Sequence, residues 1–142
     1  MLTIRPATFD EILALRHAVL RAGRPLESAY YPGDDRGDGR HWGAWMSEEL
    51  VACVSLYTVA GPSTQLRGAA TAPAWRRQGI GETLMRTAIA DWWADGAAPR
   101  DLWCNARVAA VTLYERLGFV AEGERFEVPQ IGPHQRMRWV AP

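Results

Sequence analysis

Arg76-Arg77-Gln78-Gly79-Ile80-Gly81 is the stretch from which the fold is read. Upstream, Thr64 to Ala72 is a strand-like run closed by Pro73. Downstream, Ile80, Leu84, Ala88 and Trp92 recur at four-residue spacing, with Met85, Ile89 and Trp93 on the adjacent stripe. The six residues therefore join a strand to an amphipathic helix that starts near Gly79 and buries a wide face. Glycines at such a turn let backbone approach a ligand, and the helix start offers free N–H groups and a positive dipole end to a phosphate. The predicted site is the size of a pyrophosphate. It is not a dinucleotide fingerprint, because Leu84 stands where the third glycine belongs, nor a P-loop, because the chain has no lysine. Glu82 and Arg86 fall four apart and predict a surface pair. Read alone, the six residues fit equally well a glycine-rich turn with no ligand.

Working outward, the amino-terminal side reads as a short strand, Leu2 to Arg5, followed by Thr8-Phe9-Asp10-Glu11 at capping-box spacing. The helix it opens has Ile12, Leu13, Leu15, Val19 and Leu20 as its apolar stripe and stops at Gly23 and Pro25. From Ala22 to Gly39 the chain is rich in Gly, Pro, Asp and Arg, and connections of such length are usually functional or disordered. Strands at His41 to Met46 and Leu50 to Val59 read as an antiparallel hairpin, and Thr64 to Ala72 is the third of that group. On the carboxy-terminal side, Gly96 to Pro99 ends the central helix and Leu102 to Asn105 is a short strand. Val108 to Leu117 is a second amphipathic helix with Gly118 just past its end. Val120 to Val128 and His134 to Val140 are the last two predicted strands. This order predicts one α/β domain over residues 1–142, a mixed sheet with helices on its faces.

Composition narrows the function. The chain has 142 residues, 48% hydrophobic and 23% charged, which is globular. Sixteen arginines balance sixteen acids, whereas a nucleic-acid binder shows a basic excess, so no nucleic-acid partner is expected. The absence of lysine excludes a lysine Schiff base. No run is long and apolar enough for a membrane helix, and the first residues carry no readable leader; no membrane partner and a cytoplasmic location are the expectations. His17, His41 and His134 are too dispersed for a local metal motif, and no metal is expected. Cys53 and Cys104 each lie in an apolar run and read as buried, reduced thiols. Trp42, Trp45, Trp92, Trp93 and Trp103 read as core residues.

Arg-x-x-Gly-x-Gly after a strand ending Ala70-Thr71-Ala72-Pro73 resembles the acetyl-CoA motif of the GNAT superfamily of N-acetyltransferases. Asn105-Ala106-Arg107 and Leu113-Tyr114-Glu115-Arg116-Leu117-Gly118-Phe119 resemble its second motif, in order and at the expected distance. A further likeness is to small bacterial members with Arg-His-Ala-Val-Leu-Arg from Arg16, Leu-Trp-Cys-Asn-Ala-Arg from Leu102 and Ile-Gly-Pro-His from Ile131. The resemblance implies a mostly antiparallel central sheet in which two splayed parallel strands form the CoA cleft. It implies that amides of Arg77, Gln78, Gly79, Ile80, Gly81 and Glu82, with the Arg76 and Arg77 side chains, bind the pyrophosphate of acetyl-CoA. Backbone groups of Ala70 and Thr71 would hold the pantetheine arm and polarise the thioester carbonyl, Asn105 would bind the cofactor or a water, and Tyr114 would protonate the departing thiolate. Glu82 departs from the family, which often has a basic residue there, and Thr71 stands where valine is usual. A homodimer through sheet edges is a further expectation by resemblance.

The implied reaction needs a base. A primary amine of pKa near 10.4 is neutral in about one molecule in 2,500 at pH 7, so a proton must leave before attack. His134, after a Gly-Pro turn, is the first candidate and His41 the second, with Glu127, Asp34 and Asp35 behind them; each histidine also fits a structural role. Tyr30, Tyr31, Asp34 and His41 are the candidate acceptor-binding residues, with the aromatics and acids suited to a cationic amine, although turn chemistry explains Pro32-Gly33-Asp34 as well. The acceptor is expected to be a small-molecule or peptide amine. The competing function is a non-catalytic acyl-CoA-binding or regulatory module.

Overall fold

Thr8 opens the first helix with the two reciprocal bonds that its spacing predicts. Glu11 N donates to Thr8 Oγ1 at 3.1 Å, and Thr8 N donates to the Glu11 carboxylate at 3.0 Å. In the computed structural model, which describes residues 1–96 and 99–142, this cap joins β1 (Leu2–Ala7) to α1 (Phe9–Leu20). The middle of the predicted turn at Gly96 to Pro99 lies outside the described residues. The long connection after α1 contains two short 3-10 turns, Leu26–Ala29 and Asp34–Arg36. Then come β2 (Gly39–Met46), β3 (Glu49–Val59), β4 (Ser63–Thr71) and α2 (Ile80–Asp95). The chain finishes with β5 (Leu102–Arg107), α3 (Val111–Arg116), β6 (Phe119–Ala121), β7 (Phe126–Val128) and β8 (Gly132–Trp139).

The strands form one sheet in the order β1-β2-β3-β4-β5-β8-β6, with β7 also on β8. Every pairing is antiparallel except β4 with β5, which is parallel and stops after three pairs, Thr64–Leu102, Gln65–Trp103 and Leu66–Cys104. Beyond Leu66, β4 continues to Thr71 on β3 alone, while β5 continues to Arg107 on β8 alone. A V-shaped gap therefore opens between them. On β4, Arg67 faces Ser55 and Ala70 faces Cys53, so β4 carries one extra residue as a bulge. Gly68 takes the left-handed conformation there (φ 68°), and a Cβ on it would stand 3.0 Å from Arg16 Nε.

The two faces of the sheet bury different helices. Ile80, Leu84, Met85, Ala88, Ile89 and Trp92 of α2 pack on Trp42, Val54, Leu56, Leu66 and Leu102. Each leucine, isoleucine or methionine among them contributes about 1.5–3 kcal/mol by leaving water. On the opposite face, Ile12 of α1 packs on Cys53 and Ala70.

Three sequence expectations are corrected. The strand predicted from Val120 to Val128 is two strands, because Gly123 turns left-handed (φ 77°) and the Gln135 side-chain amide donates to the Glu122 and Gly123 carbonyls at 3.2 and 3.1 Å. The helix predicted from Val108 begins as a 3-10 turn, Val108–Ala110, with no side-chain cap, so α3 proper starts at Val111. Of the five tryptophans placed in the core, only Trp42 and Trp92 are fully buried. Trp45, Trp93 and Trp103 are half-buried beneath the guanidinium groups of Arg5, Arg100 and Arg136, at 3.8, 3.5 and 3.8 Å from the rings. Among the described residues no helix is long and apolar enough to cross a membrane, and no cluster of His, Cys, Asp and Glu is arranged for a metal.

Candidate active site

The turn between β4 and α2 is built from left-handed backbone. Arg77 has φ 63° and Gly79 φ 76°, and the position a Gly79 Cβ would occupy is open space. Gly81 has a different use: a Cβ there would meet Thr71 Oγ1 at 3.1 Å, so the missing side chain lets α2 close on β4. The first backbone bond entering α2 runs from Thr83 N to Gly79 O at 3.0 Å. Among the described residues, the amides of Arg77 through Glu82 therefore have no backbone acceptor. These orphan donors and the positive end of α2 face a cleft of about 220 Å³ lined by Thr71, Trp75, Arg76, Arg77, Glu82 and Arg116, among others.

Glu82 does not leave the cleft acidic. Its carboxylate accepts from Arg86 at 2.9 Å and from Arg116 at 3.0 Å, and the Arg86 bond, followed by the Arg116 bond, holds its pKa below the usual carboxylate value. One acid thus gathers two arginines beside Arg76 and Arg77, and the cleft stays cationic. Arg76 also donates from Nε to the Thr71 carbonyl at 3.3 Å, tying the turn to the end of β4. Arg116 and Leu113, read in the sequence as motif members without a role, also line the cleft, and so does Trp75, which the sequence reading did not single out.

Asn105 is exposed and is the first residue of β5 past the last parallel pair, at the point where the V opens. Tyr114 is buried behind β5, its ring 5.3 Å from that of Phe119. Burial first, and the neighbouring Cys104 second, push the Tyr114 phenol well above its ordinary pKa, and no hydrogen bond holds its hydroxyl among the described residues. A phenol in that state keeps its proton at any physiological pH. The thiols of Cys53 and Cys104 are both pushed up to about 12 by burial, so they are unreactive packing groups.

On the α1 face, the four candidate acceptor residues behave differently. Tyr30 is exposed and edge-on to Phe9 at 5.2 Å. Tyr31 is buried. Asp34 turns inward: its carboxylate accepts from Arg16 at 2.9 Å, from Tyr31 N at 2.7 Å and from the Tyr57 hydroxyl. It presents no free carboxylate to a cationic ligand. Arg16, fully buried, also donates to Ser55 Oγ, Tyr57 Oη and the Ala29 carbonyl. His41 Nδ1 lies 2.6 Å from Ser55 Oγ and is hydrogen-bonded to the same hydroxyl that accepts from Arg16. Burial first, then the Arg16 charge, lower the His41 pKa to about 4, so His41 is a neutral member of a structural network.

Three strands separate His134 on β8 from His41 on β2, and the sheet does not bring them together. It pairs with Arg107, the last residue of β5, and its ring stacks on Phe126 at 5.8 Å. Its Nδ1 lies 2.8 Å from the Gly132 carbonyl. A carbonyl only accepts, so Nδ1 carries the proton and Nε2 is the free acceptor.

A family model described as acetyltransferase (GNAT) domain matches residues 27–141. The chain belongs to this family. A curated relative, the uncharacterized N-acetyltransferase YitI of Bacillus subtilis (strain 168), is 29% identical over 140 residues, covering 94% of this chain and 93% of its own. Among solved structures, Escherichia coli ElaA superposes with a TM-score of 0.76 at 21% identity, covering 99% of this chain and 100% of its own. A GNAT family acetyltransferase from Elizabethkingia anophelis with acetyl-CoA bound superposes with a TM-score of 0.72 at 18% identity, covering 97% of each chain. The parallel pair β4 and β5 within a mostly antiparallel sheet is the GNAT fold, as the sequence motifs imply.

Proposed function

We propose that this GNAT chain is an acetyl-CoA-dependent N-acetyltransferase that acetylates a small-molecule or peptide amine by direct attack in a ternary complex. The observation that carries the reading is the V between β4 and β5, with the unbonded amides of Arg77 through Glu82 at one end of it. Those amides and the Arg76 and Arg77 side chains fit a pyrophosphate, and the Glu82-linked Arg86 and Arg116 add positive charge beside it. When bound, acetyl-CoA supplies the thioester carbonyl that the amine attacks.

The β4 edge beyond Leu66, which has lost its β5 partner, offers backbone groups at Ala70 and Thr71 to the pantetheine arm and to the carbonyl oxygen as it gains charge. Asn105 holds the opposite lip. Tyr114 gives its proton to the leaving sulfur; a thiol with an ordinary pKa of about 8.5 leaves more readily with a donor at hand. His134, with Nδ1–H fixed on the Gly132 carbonyl, accepts the amine proton at Nε2, directly or through a water. His41 is the weaker base, since a conjugate acid of pKa about 4 has little affinity for a proton at neutral pH.

Thiol release from acetyl-CoA, followed with and without a panel of amines, tests this reading. Amine-stimulated release with an N-acetylated product is the expected result. Acetyl-CoA binding with only slow, amine-independent hydrolysis would instead support an acyl-CoA-binding module.

A further inference from the structure

Arg67 occupies a particular place on β4. Leu66–Cys104 is the last parallel pair, so Arg67 and Asn105 are the first residues past the apex of the V. Leu66 and Cys104 belong to the α2-side core, and their successors therefore point to the α1 face, Arg67 in register with Ser55 and stacked 4.0 Å from the Tyr31 ring centre. The guanidinium groups of Arg16 and Arg21 lie 4.1 and 5.8 Å from the same ring. Three cations thus surround Tyr31. The carboxylate found among them, Asp34, is spent on Arg16, Tyr31 N and Tyr57.

Arg16 is bonded through Nη1 and Nη2, with its buried Nε alone unpartnered beside Gly68 among the described residues, and Arg21 donates to the Leu20 carbonyl. Arg67 is half-buried and makes no hydrogen bond or ion pair among the described residues. Burial first, with the Arg21 and Arg16 charges adding to it, lowers its pKa. A guanidinium has five N–H donors and stays charged in proteins, and those of Arg67, half-buried yet still reaching solvent, are open to an incoming acceptor. Its planar fork matches a carboxylate, and stacking on Tyr31 fixes the plane. A cationic acceptor such as a polyamine would meet the opposite arrangement, three positive charges and a carboxylate already neutralised.

We infer that the amine acceptor carries a carboxylate, held by Arg67 at the apex of the β4–β5 cleft on the α1 face. The acceptor class is then an amino acid or a peptide with a free carboxylate close to the reacting amine. This rests on the transferase reading above. Tyr31 acts in it as the plate that orients Arg67, and Asp34 as the counter-charge that keeps Arg16 from competing for the ligand.

The test measures kcat and KM for amino acids and dipeptides, each paired with its carboxamide, with spermidine and ethanolamine phosphate alongside, on the wild type, Arg67→Gln and Arg67→Lys. Acetyl-CoA binding and melting temperature are recorded on the same samples. A charge-assisted bond of ordinary strength corresponds to a preference of roughly tenfold or more in kcat/KM for the free carboxylate. Arg67→Gln should remove that preference by raising KM, at unchanged acetyl-CoA affinity and melting temperature, and Arg67→Lys should restore part of it. Equal use of the carboxamides, a best rate with spermidine or ethanolamine phosphate, or a preference that survives Arg67→Gln would overturn the inference while leaving the transferase reading intact. Bound acetyl-CoA with no amine acetylated would overturn both.

Discussion

Tyr114 lies on α3 behind β5, with its ring against that of Phe119. Its place in Leu113-Tyr114-Glu115-Arg116-Leu117-Gly118-Phe119 suggests an acid, and a hydroxyl that is protonated and, among the described residues, free of protein bonds is consistent with that role. Tyr114→Phe removes one oxygen and keeps the ring contact with Phe119, so it should lower turnover while leaving acetyl-CoA affinity within a few fold. Steady-state thiol release and calorimetry on the same variant check this, and unchanged turnover would take Tyr114 out of the acid role. Arg16 is legible in the sequence only as the start of a shared Arg-His-Ala-Val-Leu-Arg stretch, and Arg67 only as an arginine. Arg16 finds Asp34, Ser55 and Tyr57 at separations of 18, 39 and 41 residues, which no local spacing encodes. The same network explains why Asp34, read as an acceptor-binding acid, faces inward: a buried guanidinium requires a counter-charge, and the loop supplies it.

Elements with strong local signals are readable, and those fixed by tertiary contacts are not. The Thr8 capping box, the α2 stripe and the β2–β3 hairpin stand where periodicity and turn residues place them. The division into β6 and β7 has one local sign, the left-handed Gly123, but depends also on the Gln135 side chain reaching across from β8, which nothing between Val120 and Val128 records. Likewise, the parallel pairing of β4 with β5 is a property of the crossover through α2, and only the family motifs point to it. The α1 cap makes a direct test at this scale. Thr8→Ala removes the Oγ1 acceptor of the Glu11 amide, half of the capping box, and should cost about 1 kcal/mol in urea unfolding with an unchanged m-value. A loss below about 0.3 kcal/mol would show that packing of Ile12, not the cap, sets the helix start.

For the whole molecule, the network around Arg16 ties α1, the loop before β2 and strand β3 into one unit with a defined pH response. The folded state lowers the His41 pKa from an unfolded value of 6.5 to about 4, so it favours the neutral ring. Below pH 6.5 the unfolded chain binds a proton there that the folded chain refuses, and stability is lost as pH falls from 6.5 towards 4. The span corresponds to a loss on the order of 3 kcal/mol. Unfolding free energies across that window should decline for the wild type and be flatter for His41→Gln; equal slopes would show that His41 does not couple folding to pH. The central claim, that the turn from Arg76 to Gly81 and the V beside it form a CoA cleft, is tested most directly by calorimetric titration. The account predicts micromolar binding of acetyl-CoA and CoA, no comparable binding of ATP, and a loss of roughly tenfold or more in Arg77→Glu, where a charge facing the pyrophosphate is reversed. Absence of CoA binding, equal binding of ATP, or an unchanged dissociation constant in Arg77→Glu would contradict it.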